Sequence, residues 1–227
     1  MAELLACTDG NLERAAAHLR AGGLVAVPTE TVYGLAADAT NGKAVAAIYQ
    51  TKGRPSFNPL IVHVSGLDMA GTIADFDPLS RKLAEAFWPG PLTLVLPLKP
   101  DTKIASLVTA GLSTVGLRCP KGPAQALIRI LGAPLAAPSA NSSGRISPTT
   151  AQAVDADLGG KIPFILDGGA SPVGVESTIV KVEDGTVRLL RPGGVAAGDV
   201  ERVTGEPVVR ADQRAAIEAP GMLASHY

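Results

Sequence analysis

What most restricts the fold of this chain is a recurring pair of segments. Short apolar runs rich in Val, Ile and Leu end in polar loops and are interleaved with stretches of helical period. Residues 9–20 put Leu12, Ala15, Ala16 and Leu19 on one helical face, with Asp9 or Asn11 as cap and Gly22-Gly23 as stop. Residues 24–27 read as a short buried strand, 43–51 as a helix ending at Gly53, and 60–64 (L-I-V-H-V) as a second strand. Beyond them, 79–87 pairs Leu83 with Phe87 at helical spacing, and the turn Trp88-Pro89-Gly90-Pro91 delivers the chain into a strand at 92–96. Further strands are predicted at 114–118, 134–137, 163–166, 178–182 and 187–190, with helices at 124–131 and 150–158. Interleaving of this kind implies an α/β domain, and the closely spaced late strands imply antiparallel pairs. The expected architecture is a single domain with a twisted mixed parallel/antiparallel sheet flanked by helices. Only 4% of residues are aromatic although 46% are hydrophobic, so the core must be built from Ala, Val, Leu and Ile. After residue 205 the periodicity weakens. The expected division is a domain at 1–205 and a linker or lid tail at 206–227, whose removal leaves the stability of the domain unchanged.

Charge and composition exclude several classes. Twenty Lys plus Arg against 21 Asp plus Glu give a formal charge of −1, which argues against a broad polyanion-binding face and leaves room for local basic patches. Cys7 and Cys119 stand far apart, and the three histidines form no Cys/His cluster, so no metal-ligating set is assigned. No apolar run reaches the roughly 18 residues that span a membrane, and the N-terminus lacks the order of a signal peptide, so a cytoplasmic location is expected. The segment at 37–44 (A-D-A-T-N-G-K-A) lacks the first Gly and the final Ser/Thr of a phosphate-binding loop. A-N-S-S-G at 140–144 lacks the first Gly of a nucleophile elbow, and there is no G-x-G-x-x-G.

What remains is a set of polar loops at strand ends, where open α/β sheets bind ligands. The strand at 24–27 runs into P-T-E-T-V-Y-G-L at 28–35, a segment of hydroxyls and a carboxylate too polar for a core. The loop after residue 50 carries K-G-R-P at 52–55, with Asn58-Pro59 just ahead of the next strand. Two cations two residues apart beside Gly and Pro would make a fixed anion clamp, although K-G-R-P alone reads as readily as a solvated turn. The strand at 134–137 empties into P-S-A-N-S-S-G at 138–144, and Ser147-Pro148-Thr149 opens the next helix. Small hydroxyls at a helix N-terminus suit phosphate, and the competing reading makes Ser147 or Thr149 a simple N-cap.

Taken together and in order, these segments resemble the YrdC family of threonylcarbamoyl-AMP synthases over nearly the whole chain. The resemblance is carried by the segments at 28–35, 52–55, 58–64 and 138–144, with W-P-G-P-L-T at 88–93, S-T-V-G-L-R at 113–118, V-E-S-T-I-V at 175–180 and R-P-G at 191–193. It implies a YrdC-like fold with a concave ligand site. It also implies an enzyme, a nucleotidyltransferase that uses L-threonine, bicarbonate and ATP with Mg²⁺ and releases pyrophosphate. Its product would pass to a transferase that modifies tRNA. By resemblance Lys52, Arg54, Ser139 and Asn141 surround the ATP phosphates, Lys52 and Arg54 being the catalytic electrostatic stabilisers. Asn58, Thr114, Ser147 and Arg191 are assigned to ATP, and Thr31, His63, Arg118 and Ser177 to threonine. A histidine inside an apolar strand is on its own usually structural, and the resemblance turns His63 into a substrate contact. As loop residues outside the core, Lys52 and Arg54 are expected to be replaceable without loss of the fold.

Two rivals follow from the residues. An RNA-binding module could use a concave basic surface, but the charge of −1 and the scarcity of aromatics make direct tRNA binding weak or absent. A divergent synthase with another acceptor is the second. The tail at 220–227 resembles the linker of longer family members. It is expected to fold back over the nucleotide as a lid, with Tyr227 at the ATP pocket and His226 beside it.

Overall fold

The structure, a computed structural model, describes residues 1–211, 218–220 and 222. The chain begins with β1 (Glu3–Ala6), α1 (Asp9–Arg20), β2 (Val25–Val27), β3 (Gly34–Asp38), α2 (Gly42–Lys52), β4 (Ile61–His63) and α3 (Leu67–Gly71). There follow α4 (Pro78–Phe87), β5 (Leu92–Pro97), α5 (Ser106–Thr109), β6 (Thr114–Arg118), α6 (Pro123–Leu131) and β7 (Leu135–Ala136). The last elements are α7 (Ala151–Leu158), β8 (Phe164–Asp167), β9 (Thr178–Glu183), β10 (Thr186–Arg191), α8 (Ala197–Thr204) and β11 (Val208–Arg210).

The strands form one sheet in the order β1-β8-β2-β3-β7-β4-β6-β5-β9-β10-β11. Parallel pairs such as β4 with β6 and β5 with β9 adjoin antiparallel ones such as β5 with β6 and β9 with β10, so the sheet is mixed as expected. Local sequence and packing agree in most elements. Val45 and Ile48 of α2 sacrifice a few tenths of a kcal/mol in helix propensity, but both are fully buried, and burial contributes about 1.5–3 kcal/mol for each such side chain. Helix caps differ from those expected. Thr8 caps α1 by accepting from Asn11 N, and Thr150 caps α7 by accepting from Ala153 N. Ser147 and Thr149 are therefore not the cap.

Alternation along the strands decides where a site can form. Val62, Leu117, Leu94 and Val180 share one face of the sheet and pack in the main core with Ile48, Leu83 and Val200 of the helices. The period of two turns Ile61, His63, Arg118, Thr93, Val95 and Ile179 to the opposite face. Helices α1 and α6 cover that opposite face at β1, β8, β2, β3 and β7, through Leu12, Leu19, Leu127 and Ile128. At β4, β5, β6, β9 and β10 the face is left as a concavity with an apolar floor of Ile61, Val95, Ile179 and Leu190. A register shift between Leu189 and Arg191 of β10 brings Arg191 opposite Ile179 on this face.

The segment expected to be only a linker or tail joins the packing. Val208–Arg210 forms β11 alongside β10. Ala219 is buried against Ile61, Val95, Ile179 and Leu190, with Met222 packed beside it. Glu218 pairs with Lys181 at 2.6 Å and with Arg188 at 3.1 Å. Tyr227 and His226 lie outside the described residues. The expectation that residues 206–227 can be removed without effect on stability therefore has to be revised. Truncation after residue 205 uncovers the apolar floor and removes a strand, so it should lower the unfolding free energy by about 2 kcal/mol or more. Denaturant titration of the two chain lengths measures this, and equal midpoints would contradict it.

Candidate active site

A small cavity of about 40 Å³ lies at the ends of β4 and β6, walled by Thr31, Ile61, His63, Arg118, Ser177 and Pro220 among others. Arg118 is held from two sides. Its Nε donates to Gly90 O at 3.2 Å in the W-P-G-P turn, and its Nη2 lies 2.8 Å from Glu30 Oε2. The second contact is a close charge pair without the angle of a directed hydrogen bond, so Arg118 Nη2 has no hydrogen-bond partner among the described residues, and neither has the other carboxylate oxygen, Glu30 Oε1. Lys121 N donates to the same Glu30 Oε2 at 3.0 Å, which fixes the carboxylate.

His63 stands beside Arg118 in register. Burial, and then the charge of Arg118, push its pKa well below the usual histidine range, so the ring is neutral at pH 7. Neither ring nitrogen has a hydrogen-bond partner among the described residues. Leaving a buried polar atom unpaired costs about 1–3 kcal/mol, so this convergence marks a place prepared for a polar ligand that brings donors and acceptors of its own. Hydroxyls complete the wall. Thr31 Oγ1 lies 2.9 Å from Thr29 Oγ1, and Ser177 Oγ lies 2.8 Å from Thr93 Oγ1.

A wider cavity of about 630 Å³ adjoins the first, and the two share Val32, Arg54, Ser139 and Glu176 in their walls. Lys52, Asn141, Ser147 and Gly193 line the wider one. Lys52 is the last residue of α2 rather than a loop residue, and it is 3% exposed. Its Nζ donates to Ser139 O at 2.5 Å and to Asn141 O. Gly53 then takes a left-handed conformation with φ 60°, which turns the chain so that Arg54 can donate to Asn58 O at 3.3 Å and Pro59 O at 2.9 Å. Burial foremost, and then the neighbouring Arg54, bring the pKa of Lys52 down to about 7, while Glu176 and Asp157 act in the opposite direction. The expectation that both cations lie outside the packed core is thus corrected: each is buried and bonded to backbone carbonyls.

Arg191 brings a third cation. Its Nε and Nη2 donate to Ser177 O at 3.1 and 2.9 Å, its Nη2 also reaches Ser177 Oγ at 3.1 Å, and its Nη1 pairs with the Glu176 carboxylate. Ser147 Oγ donates to Glu176 Oε1 at 2.9 Å. Three buried guanidinium or ammonium groups therefore converge near one carboxylate, an excess of positive charge that suits a polyanion.

The predicted site residues are mostly brought together. Thr31, His63, Arg118 and Ser177 meet in the small cavity, and Lys52, Arg54, Ser139, Asn141 and Ser147 in the wide one, with Arg191 in the wall of the small one. Asn58 lines neither, and it acts by accepting from Arg54 and Tyr49 through its carbonyl. Thr114 also lines neither. It starts β6 while Arg118 ends it, a separation of roughly 13 Å along a strand. Tyr227 is outside the described residues. Glu30, Thr93 and Glu176 were given no role from the sequence. The available signal was a lone carboxylate inside an otherwise apolar and hydroxyl-bearing motif, as in P-T-E-T and V-E-S-T.

The family model of Sua5, YciO and YrdC, described as "Telomere recombination", matches residues 17–193. The chain is 49% identical over 228 residues to a threonylcarbamoyl-AMP synthase of Bacillus subtilis, an alignment covering 98% of this chain and 66% of that protein. It is 45% identical over 219 residues to a threonylcarbamoyl-AMP synthase of Pyrococcus abyssi, covering 94% of this chain and 64% of that protein. The chain thus spans somewhat less than two thirds of the length of these relatives. Among solved structures, P. abyssi Sua5 complexed with L-threonine superposes with a TM-score of 0.91 at 41% identity, covering 97% of this chain and 67% of the other. With the motifs above lying within that matched fold, the chain belongs to the Sua5/YciO/YrdC family.

Proposed function

We propose that this chain is an L-threonylcarbamoyladenylate synthase, converting L-threonine, bicarbonate and ATP into threonylcarbamoyl-AMP and pyrophosphate. The observation that carries this reading is the shared wall. A cavity built around Arg118 and a neutral His63 abuts one lined by Lys52 and Arg54, with Arg54, Ser139 and Glu176 common to both. The relatives named as synthases and the P. abyssi protein with threonine bound support it.

On this reading the threonine carboxylate meets Arg118, and the side-chain hydroxyl meets His63 and Thr31. The amine then points toward the shared wall. Condensation of the amine with bicarbonate loses water and gives a carbamate, and a carbamate oxygen attacks the α-phosphorus of ATP as the bond to pyrophosphate breaks. Lys52, Arg54 and Arg191 stabilise the charge that develops on the phosphates, and no covalent bond to the protein is needed. Mg²⁺ would enter with ATP and would add positive charge at the phosphates beside Lys52, Arg54 and Arg191.

The same reading passes the product to a tRNA threonylcarbamoyl transferase in the cytoplasm, and it assigns residues 206–227 as a cover of the site, supported by Pro220 in the wall of the small cavity. No helix among the described residues is long and apolar enough to cross a membrane. An RNA-binding role is disfavoured because Lys52, Arg54 and Arg191 are buried and cannot track an extended backbone of phosphates.

The test is pyrophosphate release from Mg–ATP and bicarbonate with each amino acid in turn. Release is expected only with L-threonine, and weakly with a close analogue such as serine. Release without an amino acid, or formation of ADP, would contradict the proposal.

A further inference from the structure

The loop that carries Ser139 and Asn141 has no regular structure of its own, yet it must present carbonyl oxygens to Lys52 at fixed positions. At Ser139 and Ala140 it is pinned to the start of β3, Ser139 bridging Gly34 and Ala140 N donating to Tyr33 O at 2.8 Å, and from Ser142 onward its anchor comes from α7. Asp157 Oδ2 accepts from Ser142 N at 2.7 Å and Asp157 Oδ1 accepts from Ser142 Oγ at 2.8 Å, with Arg145 Nη1 3.4 Å away. The loop is braced from within by Asn141 Nδ2, which donates to Ser142 O at 3.0 Å and Arg145 O at 2.7 Å. It is tied to the end of α2 by Ser143 N, which donates to Lys52 O at 2.8 Å. The Asp157 side chain is 14% exposed, and it lines neither cavity.

We propose that Asp157 is the positioning residue for Lys52, pinning the loop that receives the ammonium and adding its negative charge to that of Glu176. The proposal rests on the reading of Lys52 as a phosphate-binding cation. The charged groups facing Lys52 are Arg54 from the following turn, Glu176 from the segment ahead of β9 and Asp157 from α7. Arg145 and Lys161 face Asp157 in turn. Burial raises the Asp157 carboxyl, but the two hydrogen bonds from Ser142 and the charges of Arg145 and Lys161 more than offset it, so the group is ionised at neutral pH. Removing its charge leaves Arg54 opposed only by Glu176, and the Lys52 ammonium loses its proton more readily. A neutral Lys52 cannot attract phosphate, so activity should fall as pH rises through the Lys52 titration, at lower pH in the variant.

The experiment follows the lysine side-chain resonances of the ligand-free protein by heteronuclear NMR over pH 5–11, with Lys52 identified by the loss of its signal in Lys52→Met. Asp157→Asn should lower the Lys52 titration by at least about half a unit, and Asp157→Ser serves if the first variant does not fold. Ser142→Ala removes one hydrogen bond and no charge, and it should leave the titration where it is in the wild type. The alkaline limb of threonine-dependent pyrophosphate release should move down with the NMR value in Asp157→Asn. An unchanged Lys52 titration in both Asp157 variants overturns the proposal, and so does an equal drop in Ser142→Ala, which would leave the Asp157 charge with no effect of its own on Lys52. A lowered titration in a protein that releases no pyrophosphate with threonine upholds the placement of Asp157 and instead refutes the synthase reading.

Discussion

Replacing Arg118 with alanine is expected to lower kcat/KM for threonine by at least about thirtyfold, because truncating one partner of a buried charged contact costs about 2–5 kcal/mol. ATP affinity should change little, since Arg118 lines only the small cavity. A second loss accompanies the first. Glu30 is left with its charge buried and its cation gone, and breaking such a pair costs about 3–5 kcal/mol of folding stability. The two effects can be separated. Adding Glu30→Gln to Arg118→Ala should recover a large part of the melting temperature and none of the threonine-dependent rate. Steady-state pyrophosphate release and calorimetry on the single and double variants check both halves. A wild-type KM for threonine in Arg118→Ala would remove the carboxylate contact from the scheme.

Lys52→Ala and Arg54→Ala should each lower the rate of pyrophosphate release by more than about tenfold, since a charge-assisted phosphate contact contributes roughly 1.5–3 kcal/mol. The Lys52 variant carries a structural cost as well. Ser139 O and Asn141 O lose their shared donor, and a buried aliphatic stem is replaced by a void. Its melting temperature should therefore fall, unlike that of a surface lysine. Lys52→Met, which keeps most of the stem, should recover packing without recovering turnover. Calorimetric titration with a non-hydrolysable ATP analogue supplies the binding half of the test. Undiminished turnover with unchanged nucleotide affinity in both alanine variants would remove the cation clamp from the mechanism.

Elements whose own residues favour their final state were legible in the sequence. Ile61–His63 and the strand that begins at Thr178 carry β-branched runs, and Leu12, Ala15, Ala16 and Leu19 mark the face of α1 at helical spacing. Gly34–Asp38 was not legible. G-L-A-A-D has little strand preference, and it extends because β2 and β7 bond to it on both sides. Val208–Arg210 is three residues long, and only its pairing with β10 distinguishes it from a linker. The site divides the same way. K-G-R-P by itself could not be told from a solvated turn, and the resemblance to a family placed Lys52 and Arg54 with Ser139 and Asn141. Neither route could show Asp157 behind the loop or the register shift that brings Arg191 onto the open face, because the first depends on how α7 packs against a loop 15 residues earlier and the second on an irregularity inside a hairpin that no residue pattern marks.

The flanks of the sheet bear on behaviour at high concentration. Among the described residues the outermost strands are β1, four residues long with Glu3 paired to Arg14, and β11, three residues long and ending at exposed Arg210. An unpaired strand recruits other chains in proportion to the row of free N–H and C=O groups it offers, and brevity and charge both shorten that row. A sheet this wide therefore presents little template for strand-to-strand aggregation, and its inner strands, paired on both sides, are shielded from neighbouring molecules during concentration and storage.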